Sequence, residues 1–208
     1  MYSEYVIPVP GSFVSDVAFL DLETVKVPAD GFVMKNGEPL RNRWSAFLAG
    51  VARDGEIRLV ERDSEGAELG FLDGVREAIG DAAEVRYAAT REFDEMIMRG
   101  RFTNARRAHE PVPFYPALPD ADLMYWRNVF SREDRGYPRA DDVASRDVSA
   151  TYYGRGRPAD PDLVMIHLLR DVAELILAAG DPDELCRTWC ELVLIDSDFA
   201  REEIFAGE

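Results

Sequence analysis

Short apolar runs separated by polar, turn-forming stretches make up the first ninety residues of the chain. Val17-Ala-Phe-Leu-Asp-Leu-Glu23 is apolar on consecutive rather than alternate positions, which predicts a strand buried on both faces. Before it, Pro8, Pro10 and Gly11 predict an irregular entry arm over the first sixteen residues. Trp44–Ala52 and Ile57–Glu61 flank Asp54-Gly55, a hairpin signal because glycine accepts the positive φ that the turn requires. Asn36-Gly37 predicts another turn. Leu69, Phe71, Leu72, Val75 and Ile79 recur at helical spacing before a stop at Gly80. Val85–Ala89 returns to strand character, and Phe93, Ile97 and Met98 predict a helix over 91–100.

The second half is less regular at first. Residues 103–120, rich in Pro, Arg and Ala, predict a loop, and Leu123–Phe130 reads equally as a short strand or a short helix. The charged segment 131–150 is expected to be irregular, with a short helix near Asp141. Asp162–Ala179 is the strongest helix: Val164, His167, Leu168, Asp171, Leu175 and Ala178 share one face. Gly180 ends it, and Pro182–Phe205 predicts a closing helical pair. An antiparallel start followed by strand–helix units implies an α/β fold, a mixed sheet with helices packed around it.

Length and composition narrow the picture. A chain of 208 residues, 47% hydrophobic and 31% charged, fits one domain with a full core under a charged surface. No apolar run is long enough to span a membrane. The N-terminus lacks the basic start and apolar stretch of a signal peptide. Cys186 and Cys190 stand at i, i+4 on a predicted helix, poorly placed for a disulfide and far from either histidine in sequence. A reducing, cytoplasmic location is the expectation. The 24 Lys and Arg residues against 40 Asp and Glu give a formal net charge of −16. Proteins that grip long nucleic acid are usually basic, since phosphate neutralisation supplies much of their affinity.

The acids carry the chemistry. Asp21 and Glu23, two apart on a strand, leave the sheet on the same side, where a divalent cation would relieve their repulsion. The bland reading ends the strand at Leu22 and leaves Glu23 in solvent. Asp94 follows Thr90-Arg-Glu-Phe at a helix start, where it could also simply stabilise the positive helix end. His167-Leu-Leu-Arg-Asp171 stacks a histidine on an acid along one helical face; a histidine there can equally be a core residue.

Taken in order, these motifs resemble the DEDD superfamily of 3′–5′ exonucleases. Asp21-Leu-Glu-Thr24 matches the Asp-x-Glu-Thr-like strand end, and Thr90-Arg-Glu-Phe-Asp94 the Asn-x-x-Phe-Asp motif with threonine in place of asparagine. The third motif of that superfamily has His with Asp five residues on, or Tyr with Asp four residues on. Here a histidine takes the tyrosine-type spacing, and His167-Leu-Leu-Arg-Asp-Val172 resembles the Asn-x-x-Asp-Val helix of a ribonuclease H-like bacterial branch. The resemblance spans about residues 17–178 and leaves the tail from Asp181 unexplained.

What the resemblance implies is a single domain with a ribonuclease H-like mixed five-stranded sheet flanked by helices, and a C-terminal helical extension over 181–208. It further implies hydrolysis of single-stranded RNA or DNA, or of short oligonucleotides, by two Mg²⁺ or Mn²⁺ ions held by Asp21, Glu23, Asp94 and Asp171. Asp21 would bridge the ions and His167 would accept the proton of the attacking water, with activity lost at acidic pH. Thr24, Phe93, Arg99 and Arg101 are expected at the substrate. Arg106, Arg107 and Phe102 extend that basic cluster, which reads equally as a solvated loop, and Arg155 and Arg157 form a second candidate. The acidic balance favours short single strands, and a homodimer is compatible with the sequence. Two other readings use the same residues: a non-catalytic ribonuclease H-like binding module, and a phosphoesterase acting on a small nucleotide.

Overall fold

A computed structural model of the chain describes residues 2–26, 34–35, 38–39, 44–62, 68–88, 125–129, 137–139, 143–144, 147–156 and 158–205. The strands are β1 (Tyr2–Pro8), β2 (Val17–Lys26), β3 (Met34–Lys35), β4 (Glu38–Pro39), β5 (Trp44–Arg53), β6 (Glu56–Arg62), β7 (Glu84–Tyr87) and β8 (Tyr125–Asn128). The helices are α1 (Glu68–Ile79), α2 (Val148–Tyr153), α3 (Pro161–Ala179), α4 (Glu184–Ile195) and α5 (Ser197–Phe205). The architecture is α/β, a mixed sheet flanked by helices. No described helix is long and apolar enough to cross a membrane.

The main sheet has six strands in the order β1-β6-β5-β2-β7-β8. Each of the first four is antiparallel to its neighbour, whereas β7 runs parallel to β2, and β8 parallel to β7. Four of these, β2, β5, β6 and β7, fall where the sequence predicts strands, and β8 lies in the segment that reads equally as strand or helix, which together make up a mixed set of five. The sixth is β1, which replaces the expected irregular arm and pairs with β6 from Tyr2↔Arg62 to Pro8↔Glu56. Only Ile7 of β1 is buried, so the strand is held by backbone pairing with little apolar pattern to announce it. Pro8 is tolerated because it closes a strand at the sheet edge, where a missing N–H breaks no central ladder. Between β5 and β6, Asp54 (φ 52°) and Gly55 (φ 82°) make the two-residue turn that positive φ at both positions favours. The Asn36-Gly37 turn lies outside the described residues, although β3 and β4 on either side pair in antiparallel register. Tyr125–Asn128 resolves to a strand through its parallel pairing with β7. The helices expected over 91–100 and near Asp141, and the loop over 103–120, also lie outside the described residues; the short helix that is described begins at Val148.

Two cores lie on opposite faces of the sheet. Ala18, Leu20 and Leu22 of β2 face α1 with Val51, Phe71 and Val75. Val17 and Phe19 face the other way, into a larger core built on α3. Consecutive residues of β2 thus serve both cores, as the unbroken apolar run anticipates. Asp160 caps α3 by accepting from the Leu163 N–H at 3.0 Å, and Pro161 supplies the fixed φ of a first helical residue. Val164 to Leu177 are all buried, because α4 and α5 cover the face of α3 that the sheet does not. Arg170 crosses into that layer, donating from Nε to the Val193 carbonyl at 3.0 Å and from Nη2 to Ser197 Oγ at 2.8 Å. The Val193 carbonyl belongs to the last turn of α4, where backbone acceptors lack helical partners. Residues 184–205 therefore form a structural layer over α3. Of the residues expected on one face of α3, Ala178 alone is exposed, one residue before the helix ends.

Candidate metal centre

β2 continues to Lys26, so Glu23 lies inside the strand and is only 5% exposed. That excludes the reading in which the strand ends at Leu22. Phe19, Asp21 and Glu23 alternate with Leu20 and Leu22 and therefore face α3. The Cα partner of Asp21 is Gly50, and a Cβ built there would stand 2.6 Å from Val172 Cγ2 and 3.1 Å from Leu168 Cγ. Glycine at this position lets α3 lie close on the sheet. One residue before each of those contacts, His167 and Asp171 reach down the same side of the helix.

His167 Nε2 stands 3.3 Å from Glu23 Oε1 and 3.4 Å from Asp171 Oδ2. One donor atom from each of the three residues lies within 4.8 Å of the others, and all three are buried. Ligands about 2.1 Å from a shared cation stand about 3.0 Å apart at right angles and about 3.4 Å apart at tetrahedral angles. The observed separations match that span. Two carboxylates and an imidazole suit a divalent first-row ion, and carboxylate oxygens suit hard cations best. Two acids removed from water this close together need positive charge nearby, and a cation held by these donors could supply it.

Asp21 is fully buried on the same face but does not belong to that three-donor set. Thr24 follows Glu23 and is half-buried. Asp94, Phe93, Arg99 and Arg101 lie outside the described residues, as do Phe102, Arg106, Arg107 and Arg157. The parallel register of β7 pairs Tyr87 with Leu20, so the described chain arrives at Ala88 beside Asp21.

Two further charged residues border the cluster. Arg139 Nη2 donates to Asp171 Oδ1 at 2.5 Å and also to Glu174 Oε2. Asp171 thus gives one oxygen to the guanidinium and turns the other toward His167 and Glu23. Glu174, 1% exposed, sits three residues beyond Asp171 on α3. The Asp171-x-x-Glu174 spacing could have exposed it in sequence. Arg139 comes from a segment whose irregular pattern carries no such signal.

Across β5 the register skips a residue: Glu23 pairs with Leu48 and Thr24 with Ala46. Phe47 is the extra residue of a β-bulge, which puts Phe47 and Leu48 on the same, α3-facing side. On α4, Cys186 and Cys190 are buried and not disulfide-bonded, and their mutual hydrogen bond, with burial, pushes the Cys190 thiol far up. Comparisons with protein-family models, with curated proteins and with solved structures find no match for the chain.

Proposed function

We propose that the chain is a metal-dependent phosphodiester hydrolase, a 3′–5′ exonuclease acting on short single-stranded nucleic acid. The observation that carries the reading is the convergence of Glu23 and Asp171 with His167, residues 144 and 148 positions from Glu23 in the chain giving donors 3.3–3.4 Å apart. An antiparallel unit β6-β5-β2 extended by the parallel strands β7 and β8 is compatible with a ribonuclease H-like sheet, with β1 added at the edge.

Glu23 and Asp171 would hold one cation, and the separations favour His167 as a third ligand over the role of a free base. Asp21, buried on the same face, would serve a second cation, for which Asp94 is the further ligand expected from the sequence. Divalent cations bound there, Mg²⁺ or Mn²⁺, supply Lewis acidity and an activated water for in-line attack on a phosphodiester. The burial of the three donors excludes bulk water from the ligands, and Arg139 fixes the Asp171 rotamer. A net charge of −16 leaves substrate affinity to the metal site and local cationic groups, which favours short strands.

The test is incubation with 5′-labelled single-stranded RNA and DNA, with Mn²⁺ or with chelator. Stepwise shortening from the 3′ end that chelator abolishes is expected. Intact substrate under every metal condition, or cleavage indifferent to chelator, removes the reading.

A further inference from the structure

The bulge that places Phe47 beside Glu23's partner also starts a run of aromatic rings that leads outward. The Phe47 centroid lies 4.6 Å from Tyr152 and 5.2 Å from Tyr153, and those two rings are 4.9 Å apart and nearly perpendicular. Phe47 is fully buried, Tyr152 is half-buried and its hydroxyl donates to Glu61, and Tyr153 is 44% exposed. Gly154, at φ 67°, ends α2 in the left-handed conformation and turns the chain back. The turn brings the Arg155 guanidinium 5.2 Å over the Tyr153 ring. The assembly is tied to the metal-centre helix, since the Asp160 N–H at the cap of α3 donates to the Thr151 carbonyl at 2.9 Å.

We propose that Tyr153 and Arg155 form a substrate subsite in which a nucleobase stacks on the Tyr153 ring while Arg155 meets the neighbouring phosphate. The inference rests on the nuclease reading and adds where the strand lies. An exposed cation–π contact is weaker than base–aromatic stacking, so a base displaces the guanidinium from the ring. The freed guanidinium keeps its charge and its fork of donors, which suit a phosphate. Phe47 and Tyr152 back the Tyr153 ring from inside, so the platform needs no ordering when the base arrives. Stacking reads no base identity, so the subsite accepts any single strand and discriminates against duplex, whose bases are already stacked.

The experiment measures kcat and KM of the full chain with Mn²⁺ on a short single-stranded oligonucleotide, and Mn²⁺ affinity separately. Wild type is compared with Tyr153→Phe, Tyr153→Leu, Tyr153→Ala and Arg155→Ala. Loss of the ring in the Leu and Ala variants raises KM about tenfold, the order expected for one stacked base. Their kcat stays within about twofold and Mn²⁺ affinity is unchanged, while Tyr153→Phe keeps the wild-type KM. Leu retains the apolar contact with Phe47 and Tyr152, so it separates stacking from folding. The same oligonucleotides made abasic at successive 3′ positions remove the difference between wild type and Tyr153→Leu at one position. Wild-type KM in Tyr153→Leu, or an effect equally large on every abasic substrate, overturns the subsite and leaves the nuclease reading standing. Absence of metal-dependent cleavage by wild type overturns both.

Discussion

Gly50→Ala tests whether the contact between α3 and the sheet sets the geometry of the candidate metal centre. The added methyl would stand 2.6 Å from Val172 Cγ2 and 3.1 Å from Leu168 Cγ, against about 3.5–4.0 Å for carbon atoms in favourable contact. Relief requires α3 to lift by about 1 Å or β5 to sink by as much. Overpacking of this kind costs about 1–3 kcal/mol. The lower chain entropy of unfolded alanine returns about 0.4–1 kcal/mol, so a net loss of about 1–2 kcal/mol is expected. The site suffers more than the fold. Leu168 and Val172 adjoin His167 and Asp171, so a lift carries both donors away from Glu23, from 3.3 Å at His167 Nε2 to beyond what one cation spans. Mn²⁺ affinity should fall at least tenfold, and turnover by about a hundredfold if geometry is displaced by about 1 Å. Urea denaturation, Mn²⁺ titration and oligonucleotide cleavage read the three effects. Val51→Ala is the control: it opens a hole in the α1-side core at a cost of about 2 kcal/mol and should leave Mn²⁺ affinity intact. Wild-type Mn²⁺ affinity in Gly50→Ala, or an equal loss in Val51→Ala, would refute the reasoning.

Three further outcomes are expected. His167→Ala should weaken Mn²⁺ binding at least tenfold; unchanged affinity with lost turnover would instead make His167 a proton acceptor. Arg139→Ala removes the cation shared by buried Asp171 and Glu174 and should cost about 3–5 kcal/mol by chemical denaturation, part of it restored by adding Glu174→Gln; an additive double variant would show that the contacts are independent. Asp183 accepts from the Cys186 N–H at 2.9 Å and from the Ser12 N–H and hydroxyl, and these bonds hold its carboxyl below the usual carboxylate range. A depressed folded-state pKa stabilises above the unfolded value of about 3.9, and that stability is lost as pH falls through the folded value. Asp183→Asn should therefore lower Tm at neutral pH and flatten its fall in acid; an unchanged acid limb would contradict the role.

Elements that bury an apolar face were legible in the sequence. The unbroken run in β2, the Asp54-Gly55 turn and the periodicity of α3 each predict their structure, and the same two elements carry Glu23, His167 and Asp171. β1 was hidden because its pairing is made by the backbone while its side chains remain largely exposed, and Pro8 reads as a breaker unless the strand is known to be an edge. The bulge at Phe47 leaves no mark either: within an apolar stretch, a one-residue slip changes which face a side chain takes without changing its hydrophobicity. Arg139 is likewise a long-range partner, chosen by the position of α3 and not by anything adjacent to it in the chain. The tail that the motifs left unexplained acquires a role only in three dimensions, where α4 and α5 close over α3 and receive Arg170.

The most direct measurement is Mn²⁺ titration of the purified chain, followed by the loss of the free-ion signal in electron paramagnetic resonance. Saturable binding by wild type should be abolished or weakened more than tenfold in Glu23→Gln and in Asp171→Asn, each with an unchanged circular dichroism spectrum. A wild-type chain that binds no Mn²⁺, or variants that bind it as tightly, would contradict a metal centre at these residues.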